Sequence, residues 1–280
     1  MSPLAKIDYE RHKEQMAVKS HMAKRLIFWT TILLAALIIP LHFDEEAKAA
    51  ISYVDSAPNP ANNGTYNDET VDVDPSSISM QQGDFVLLIG AERSHTGSDL
   101  TISNTGGQSW TTLDQAPSEI AMKSRLFYCI FNGTWTANPS IIGNSGVTKS
   151  AIMHVFRGVD QATPLDVAQT VGTTPYEDPD KTIDGITTNT DGAWVIAVWT
   201  ASWSGSWALS TSGWDNAGLA GYNNIVTGAK LSVSAAYKEL ASHGASGDVT
   251  NTTDAGDGTS HILALKMATG SLTLGGRPCM

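Results

Sequence analysis

The sequence predicts an all-β fold: a jelly-roll-like antiparallel β-sandwich built from two similar halves and preceded by an N-terminal hydrophobic helix. Three observations predict it. Past residue 50, short stretches rich in β-branched and aromatic residues alternate with Gly, Asn, Asp and Pro clusters. A set of apolar anchors recurs in the same order roughly a hundred residues later. Charged residues make up only 16% of the chain, and Thr, Ser, Gly and Asn take their place, as on hydroxyl- and amide-rich β surfaces.

The N-terminal element comes first. Leu26 to Leu41, including Trp29 and Leu34, is an uncharged run, preceded by Lys24 and Arg25 and followed by Asp44, Glu45 and Glu46. That asymmetry leaves the N-terminus inside and sends everything after His42 outward. Ala47-Lys48-Ala49 places small residues where a signal peptidase reads them, so Ala50 is the expected mature start. Two readings stand side by side. The run is shorter than a comfortable span of about 20 residues, and with Pro40 and the A-x-A site this favours cleavage. The polar extension from Met1 to Met22 favours a retained membrane anchor, although Met22-Ala23-Lys24-Arg25 reads by itself as a signal-peptide start. Residues 1–49 thus form an extension plus signal peptide or anchor.

Residues 50–268 form the body. Expected strands are Ile51–Val54, Tyr66–Val73, Phe85–Glu92, Leu100–Ser103, Ser109–Leu113, Arg125–Phe131 and Ser150–Phe156. A second series is Leu165–Thr170, Ala193–Ala201, Trp207–Leu209, Lys230–Tyr237 and Ser260–Met267. Phe85–Ile89 and Trp194–Trp199 are apolar on both faces and read as central strands. Leu231–Tyr237 alternates, which predicts one buried and one wet face. Residues 269–280 are a Gly-rich tail.

The repeat spans about 83–160 and 192–267. Gly83–Leu88 matches Gly192–Ala197, Trp110 matches Trp214, and Ala151–Val155 matches His261–Leu265. A half of about a hundred residues with so few strands buries its core poorly alone, so one closed sandwich is the preferred arrangement over two small ones. Gly83-Asp84-Phe85-Val86, Trp110-Thr111-Thr112-Leu113, Phe156-Arg157-Gly158-Val159-Asp160 and Thr163-Pro164-Leu165-Asp166 resemble motifs of jelly-roll modules in secreted bacterial surface proteins and in tailed-phage virion and tail proteins. The resemblance covers roughly Asp55 to Met267 and implies a structural role, with no catalytic site.

The net charge of −11 is uneven: residues 1–49 hold seven Lys/Arg and six Asp/Glu, leaving ten against 22 in the remainder. An acidic body repels phosphate backbones, which excludes nucleic acid as a partner. Cys129, in an apolar run, reads as a buried thiol, and Cys279 lies in the tail, so no disulfide framework is expected. Asn63, Asn132 and Asn251 head Asn-x-Thr sequons.

No nucleophile elbow, zincin, Walker or dinucleotide motif is present, so the chain is expected not to be an enzyme and to need no cofactor. His95, His154, His243 and His261 are read as structural or surface residues. Weak ligand signals remain. Asp254 and Asp257 lie on a turn and are hard oxygen donors of the type Ca²⁺ takes. Trp203 and Trp207 flank a Ser/Gly loop, and an exposed indole offers a sugar ring a flat apolar face.

The functional expectation is an exported structural or adhesion module of a cell surface, extracellular filament or virion, its partners being copies of itself or other surface or virion proteins. The alternatives are a carbohydrate-binding module using the Trp loop and a glycan-active enzyme with a carboxylate pair.

Overall fold

The computed structural model describes Met16 and residues 50–58, 70–94, 96–117, 122–174, 178–202, 206–215, 222–226, 229–254 and 256–269. The apolar run 26–41, Ala47 and Ala49, Trp203, Cys279, Asn63 and His95 lie outside them. The chain divides into two units, Met1–Ala47 and Lys48–Met280; the strands belong to the second.

There are sixteen strands among the described residues, all paired antiparallel. The first eight are β1 (Ser52–Pro58), β2 (Thr70–Asp72), β3 (Phe85–Glu92), β4 (Thr101–Asn104), β5 (Thr111–Pro117), β6 (Lys123–Ile130), β7 (Ser140–Ile142) and β8 (Lys149–Arg157). The second eight are β9 (Leu165–Thr174), β10 (Asp180–Ile183), β11 (Ala193–Ala201), β12 (Ala208–Leu209), β13 (Tyr222–Val226), β14 (Ala229–Leu240), β15 (Val249–Thr252) and β16 (Gly258–Leu265). They form two five-stranded sheets, β1-β8-β3-β6-β5 and β13-β14-β11-β16-β9, and two three-stranded sheets, β2-β7-β4 and β10-β15-β12. Adding eight to each label of the first large and small sheet reproduces the order of the second, read in reverse for the large one.

The predicted central strands are central: β3 and β11 are buried along their whole length. Aromatic and β-branched residues dominate both, which suits a strand covered on two faces. What covers them differs from the expectation of one dry centre. Three apolar layers separate four stacked sheets. The middle layer lies between the two large sheets, with Phe85, Leu87 and Phe156 meeting Trp194, Val198 and Leu263. An outer layer fills the space between the first large sheet and its small one, with Val86, Met153 and Phe127 against Val71 and Ile141. The other joins Val195, Trp199 and Ile262 to Ile183 and Val249. Four short strands that periodicity misses, β7, β10, β13 and β15, complete these sheets. The alternating run in β14 is therefore buried on both faces: Ser232 and Ser234 are as covered as Leu231 and Val233.

Pairing registers set the correspondence between the two series. Phe85 lies opposite Ile130 and Phe156, and Trp194, 109 residues on, lies opposite Glu239 and Leu265. Thr111 pairs with Tyr128 and Asp215 bridges to Tyr237, so Trp110 and Trp214 precede matching positions. Gly83 and Gly192 both turn at positive φ immediately ahead of this register, a conformation open to glycine at little cost. The third sequence anchor needs a correction of one residue. Leu265 corresponds to Phe156, so His154 corresponds to Leu263 instead of Ala264, and His261 to Ile152 instead of Ala151. A one-residue slip exchanges the two faces of a strand; Ile152 and Leu263 both line the middle layer, whereas Ile262 lines an outer one.

Gly258 opens β16 where β11 and β9 close in. A Cβ there would lie 2.0 Å from the Thr200 carbonyl oxygen and 2.2 Å from Thr174 Oγ1. Backbone cannot step aside as a flexible side chain can, so Gly258→Ala is expected to destabilise the fold by about 1–3 kcal/mol, read as a lower urea midpoint.

Candidate functional site

The middle layer carries the densest buried polar arrangement. Ser124 on β6 faces His261 on β16, with Ser124 Oγ 2.6 Å from His261 Nε2. Ser124 Oγ also touches Thr259 Oγ1, which lies 2.6 Å from Thr200 Oγ1. On the far side of the imidazole, Gln169 Nε2 meets Nδ1 and donates to the Asp114 carbonyl at 3.2 Å. These residues come from β5, β6, β9, β11 and β16, and Ser124 and His261 are separated by 137 positions. Sequence reasoning missed the pair for that reason: each is an isolated polar residue in an apolar strand, with no local motif.

A serine hydroxyl on an imidazole is the start of a nucleophile–base arrangement, so its polarity matters. The Gln169 amide donates to Asp114 and to Nδ1, so Nδ1 accepts and the imidazole proton sits on Nε2. His261 therefore donates to Ser124 Oγ and has no lone pair free to take the serine proton. Burial pushes the imidazole down to about 3, and both side chains are sealed from solvent. His261, Ser124, Thr259 and Thr200 form one hydrogen-bonded chain, and it fastens one large sheet to the other.

His154 on β8 faces the same layer beside the Tyr53 ring, with centroids 6.4 Å apart. Its Nδ1 is buried without a hydrogen-bond partner, and burial pushes it down to about 3 as well. Both imidazoles stay neutral in the fold while an unfolded chain protonates them near pH 6.5. Stability is thus full above that pH and is lost as pH falls toward about 3. Each histidine contributes a slope of up to about 1.4 kcal/mol per pH unit. His154→Leu copies the residue at the corresponding position, Leu263, and is expected to flatten the acid limb by that amount in urea titrations at stepped pH.

Aromatic rings fill the remainder of the layer. Trp194 stacks on Tyr237 at 4.5 Å and 10°, Tyr237 on Tyr53 at 6.2 Å and 20°. Phe156 meets Tyr53, Phe85 and Trp194 at 5.8, 6.4 and 6.2 Å. Burial, ahead of the nearby Asp55 and Tyr237, raises the Tyr53 hydroxyl to about 12 despite a hydrogen bond with Ser56.

Trp207 is half-buried against the outer layer that Trp199 and Trp214 occupy. Asp254 is exposed on its turn while Asp257 is buried, and its carboxylate acts on the charge of Lys181. Among the described residues no three His, Cys, Asp or Glu side chains stand close enough to hold a metal ion, and no helix is long and apolar enough to cross a membrane. Cys129 is a buried thiol that burial raises to about 12. Asn251 is fully buried, which excludes its sequon from glycan attachment in the folded protein. The surface clefts among the described residues include one of about 160 Å³ between β9 and β10 and one of about 500 Å³ beside Asp99, Thr101 and Asn144. Neither is lined by Ser124 or His261.

Fold and polar seam define an all-β protein of stacked antiparallel sheets. No family model, curated protein or solved structure matches the chain.

Proposed function

We propose that this protein is an exported, non-enzymatic structural or adhesion module of a cell surface, extracellular filament or virion, its body being a tandem of two eight-stranded jelly rolls. The observation that carries the reading is the use of buried polar and aromatic groups as fastenings. Ser124, His261, Thr259 and Thr200 bind sheet to sheet, and none of them lines either surface cleft. The repeated orders 1-8-3-6 and 2-7-4 support the jelly-roll reading, with the fifth strand at the edge of the larger sheet. The N-terminal apolar run supplies export, with cleavage ahead of Ala50.

Association is expected through sheet edges, where unpaired N–H and C=O groups invite another strand; β1, β5, β9 and β13 are the edges of the large sheets. The glycan reading is weaker because Trp207 packs against the outer layer instead of standing clear of it. The test is expression of the full chain in a secreting bacterial host, followed by N-terminal sequencing, light scattering and electron microscopy of the exported protein. An N-terminus at Ala50 and ordered oligomers or filaments support the proposal. A protein that stays inside the cell, or remains monomeric at every concentration, overturns it. Oligosaccharide release from a polysaccharide panel would replace it with the enzymatic reading.

A further inference from the structure

We propose that Lys181 and Asn251 become joined by an intramolecular isopeptide bond, formed by the folded protein itself with Asp257 relaying the proton. The starting point is a row of three side chains on the inner face of each small sheet. In the first, Val71 lies opposite Ile141, which lies opposite Ile102. In the second, the matching positions are Lys181, Asn251 and Leu209. One apolar row thus contains a lysine and an amide where its counterpart has valine and isoleucine, and both are fully buried.

A lysine is among the costliest residues to bury, and here it shares a buried row with a carboxamide. Lys181 and Asn251 are directly opposed in an antiparallel pair, which puts their Cβ atoms about 4.5–5.5 Å apart on one face. The four-carbon stem of Lys181 is long enough to cross that gap to the Asn251 carboxamide. The amide is held: its Nδ2 donates to Ser234 Oγ at 3.0 Å, while its Oδ1 accepts no hydrogen bond. Strand β10 is held as well, since the fully buried Trp199 donates from Nε1 to the Lys181 carbonyl at 2.8 Å. Burial, opposed by the carboxylates of Asp178 and Asp257, lowers the lysine from its ordinary value and so favours the free amine that nucleophilic attack needs. Of those two carboxylates Asp257 is the buried one.

The step balances without a co-reactant. Asp257 takes one proton from the Lys181 ammonium. The Nζ lone pair then forms a bond to Asn251 Cγ, and the Cγ–Nδ2 bond breaks. Nδ2 takes the second Nζ proton and the one carried by Asp257 and departs as ammonium, which returns Asp257 to its carboxylate. The product is a neutral secondary amide bridging β10 and β15, with the buried charge gone. Nothing is oxidised or reduced. The bond stands independently of the export and adhesion reading, because it needs only the folded second half.

Mass spectrometry of the folded full-length chain decides the matter. If the bond forms, trypsin fails to cut after Lys181, and the peptide bearing Asn251 is recovered attached to it, lighter by about 17 Da for the ammonia lost in the transfer. Lys181→Met and Asn251→Leu abolish the joined peptide. Asp257→Asn slows its appearance about a hundredfold or more while circular dichroism stays native. Complete cleavage after Lys181 and a separate, full-mass Asn251 peptide from folded wild-type protein overturn the proposal, whatever the variants do. Joining at the wild-type rate in Asp257→Asn overturns the relay.

Discussion

Replacing Phe156 by Ala lowers the free energy of unfolding by about 3–5 kcal/mol, the largest effect expected of any single truncation in the middle layer. The ring is fully buried and meets Tyr53, Phe85 and Trp194, so it touches both large sheets at once. Its loss removes the transfer energy of a phenyl group and leaves a hole that stiff strands cannot close. Aromatic pairs add about 0.5–1.5 kcal/mol each beyond area, which places Phe156 above an aliphatic neighbour such as Leu87. Urea unfolding followed by tryptophan emission reads the change, because Trp194 lies at the same contact. A loss below about 1 kcal/mol would mean that the two large sheets are not joined through this ring.

Glu92→Gln is expected to cost about 3–5 kcal/mol, because it leaves a buried ammonium without its counter-charge. Glu92 ends β3 and lies opposite Lys123 on β6 and Lys149 on β8; all three are buried. Lys123 Nζ stands 3.4 Å from Glu92 Oε1 and donates to the carbonyls of Thr96 and Ser98. The other carboxylate oxygen accepts from Asn144 N at 2.9 Å, and Lys149 donates to the carbonyls of Asn144 and Val147. The cluster thus secures the loops on either side of β4 and β7. The corresponding positions in the second series are Ala201, Ser232 and Gly258, so the strand order does not require it. Removing charge from both partners costs less than removing it from one. Glu92→Gln combined with Lys123→Met should therefore be more stable than Glu92→Gln alone, as measured by the same unfolding curves.

Much of the fold was legible in the residues. The runs Phe85–Glu92 and Ala193–Ala201 declare themselves as strands at both ends, because a strand covered on two faces has no polar side to blur its limits. The Gly83/Gly192 and Trp110/Trp214 correspondences follow from glycine's conformational freedom and from the bulk of indole. The His154 correspondence slipped by one because alternating small and apolar residues match almost as well at either register, and only cross-strand pairing distinguishes them. Strands β7 and β15 escaped notice for a different reason. Ser140–Ile142 is short and sits between Pro139 and Gly143, while Val249–Thr252 is mostly polar, and both owe their extended form to neighbours far away in the chain. The number of layers was hidden for the same cause: the buried serines of β14 look solvent-facing until a small sheet is placed over them.

The polar seam was less legible than the fold. His261, Ser124 and Gln169 each occupy a strand whose local pattern gives no reason to connect them. Trp207, by contrast, stood out as an exposed aromatic beside a Ser/Gly loop, yet indole is large enough to reach back from a loop and plug a sheet edge. The Lys181–Asn251 pair was invisible for want of a register between two strands that periodicity did not detect.

β8 faces β14 and β6 faces β16, the reciprocal exchange of partners seen when two identical subunits clasp about a twofold axis. A chain cut between β8 and β9 would bare that face and should dimerise with a second copy of itself. Carrying both partners on one polypeptide makes the clasp unimolecular, so dilution in an open medium cannot loosen it.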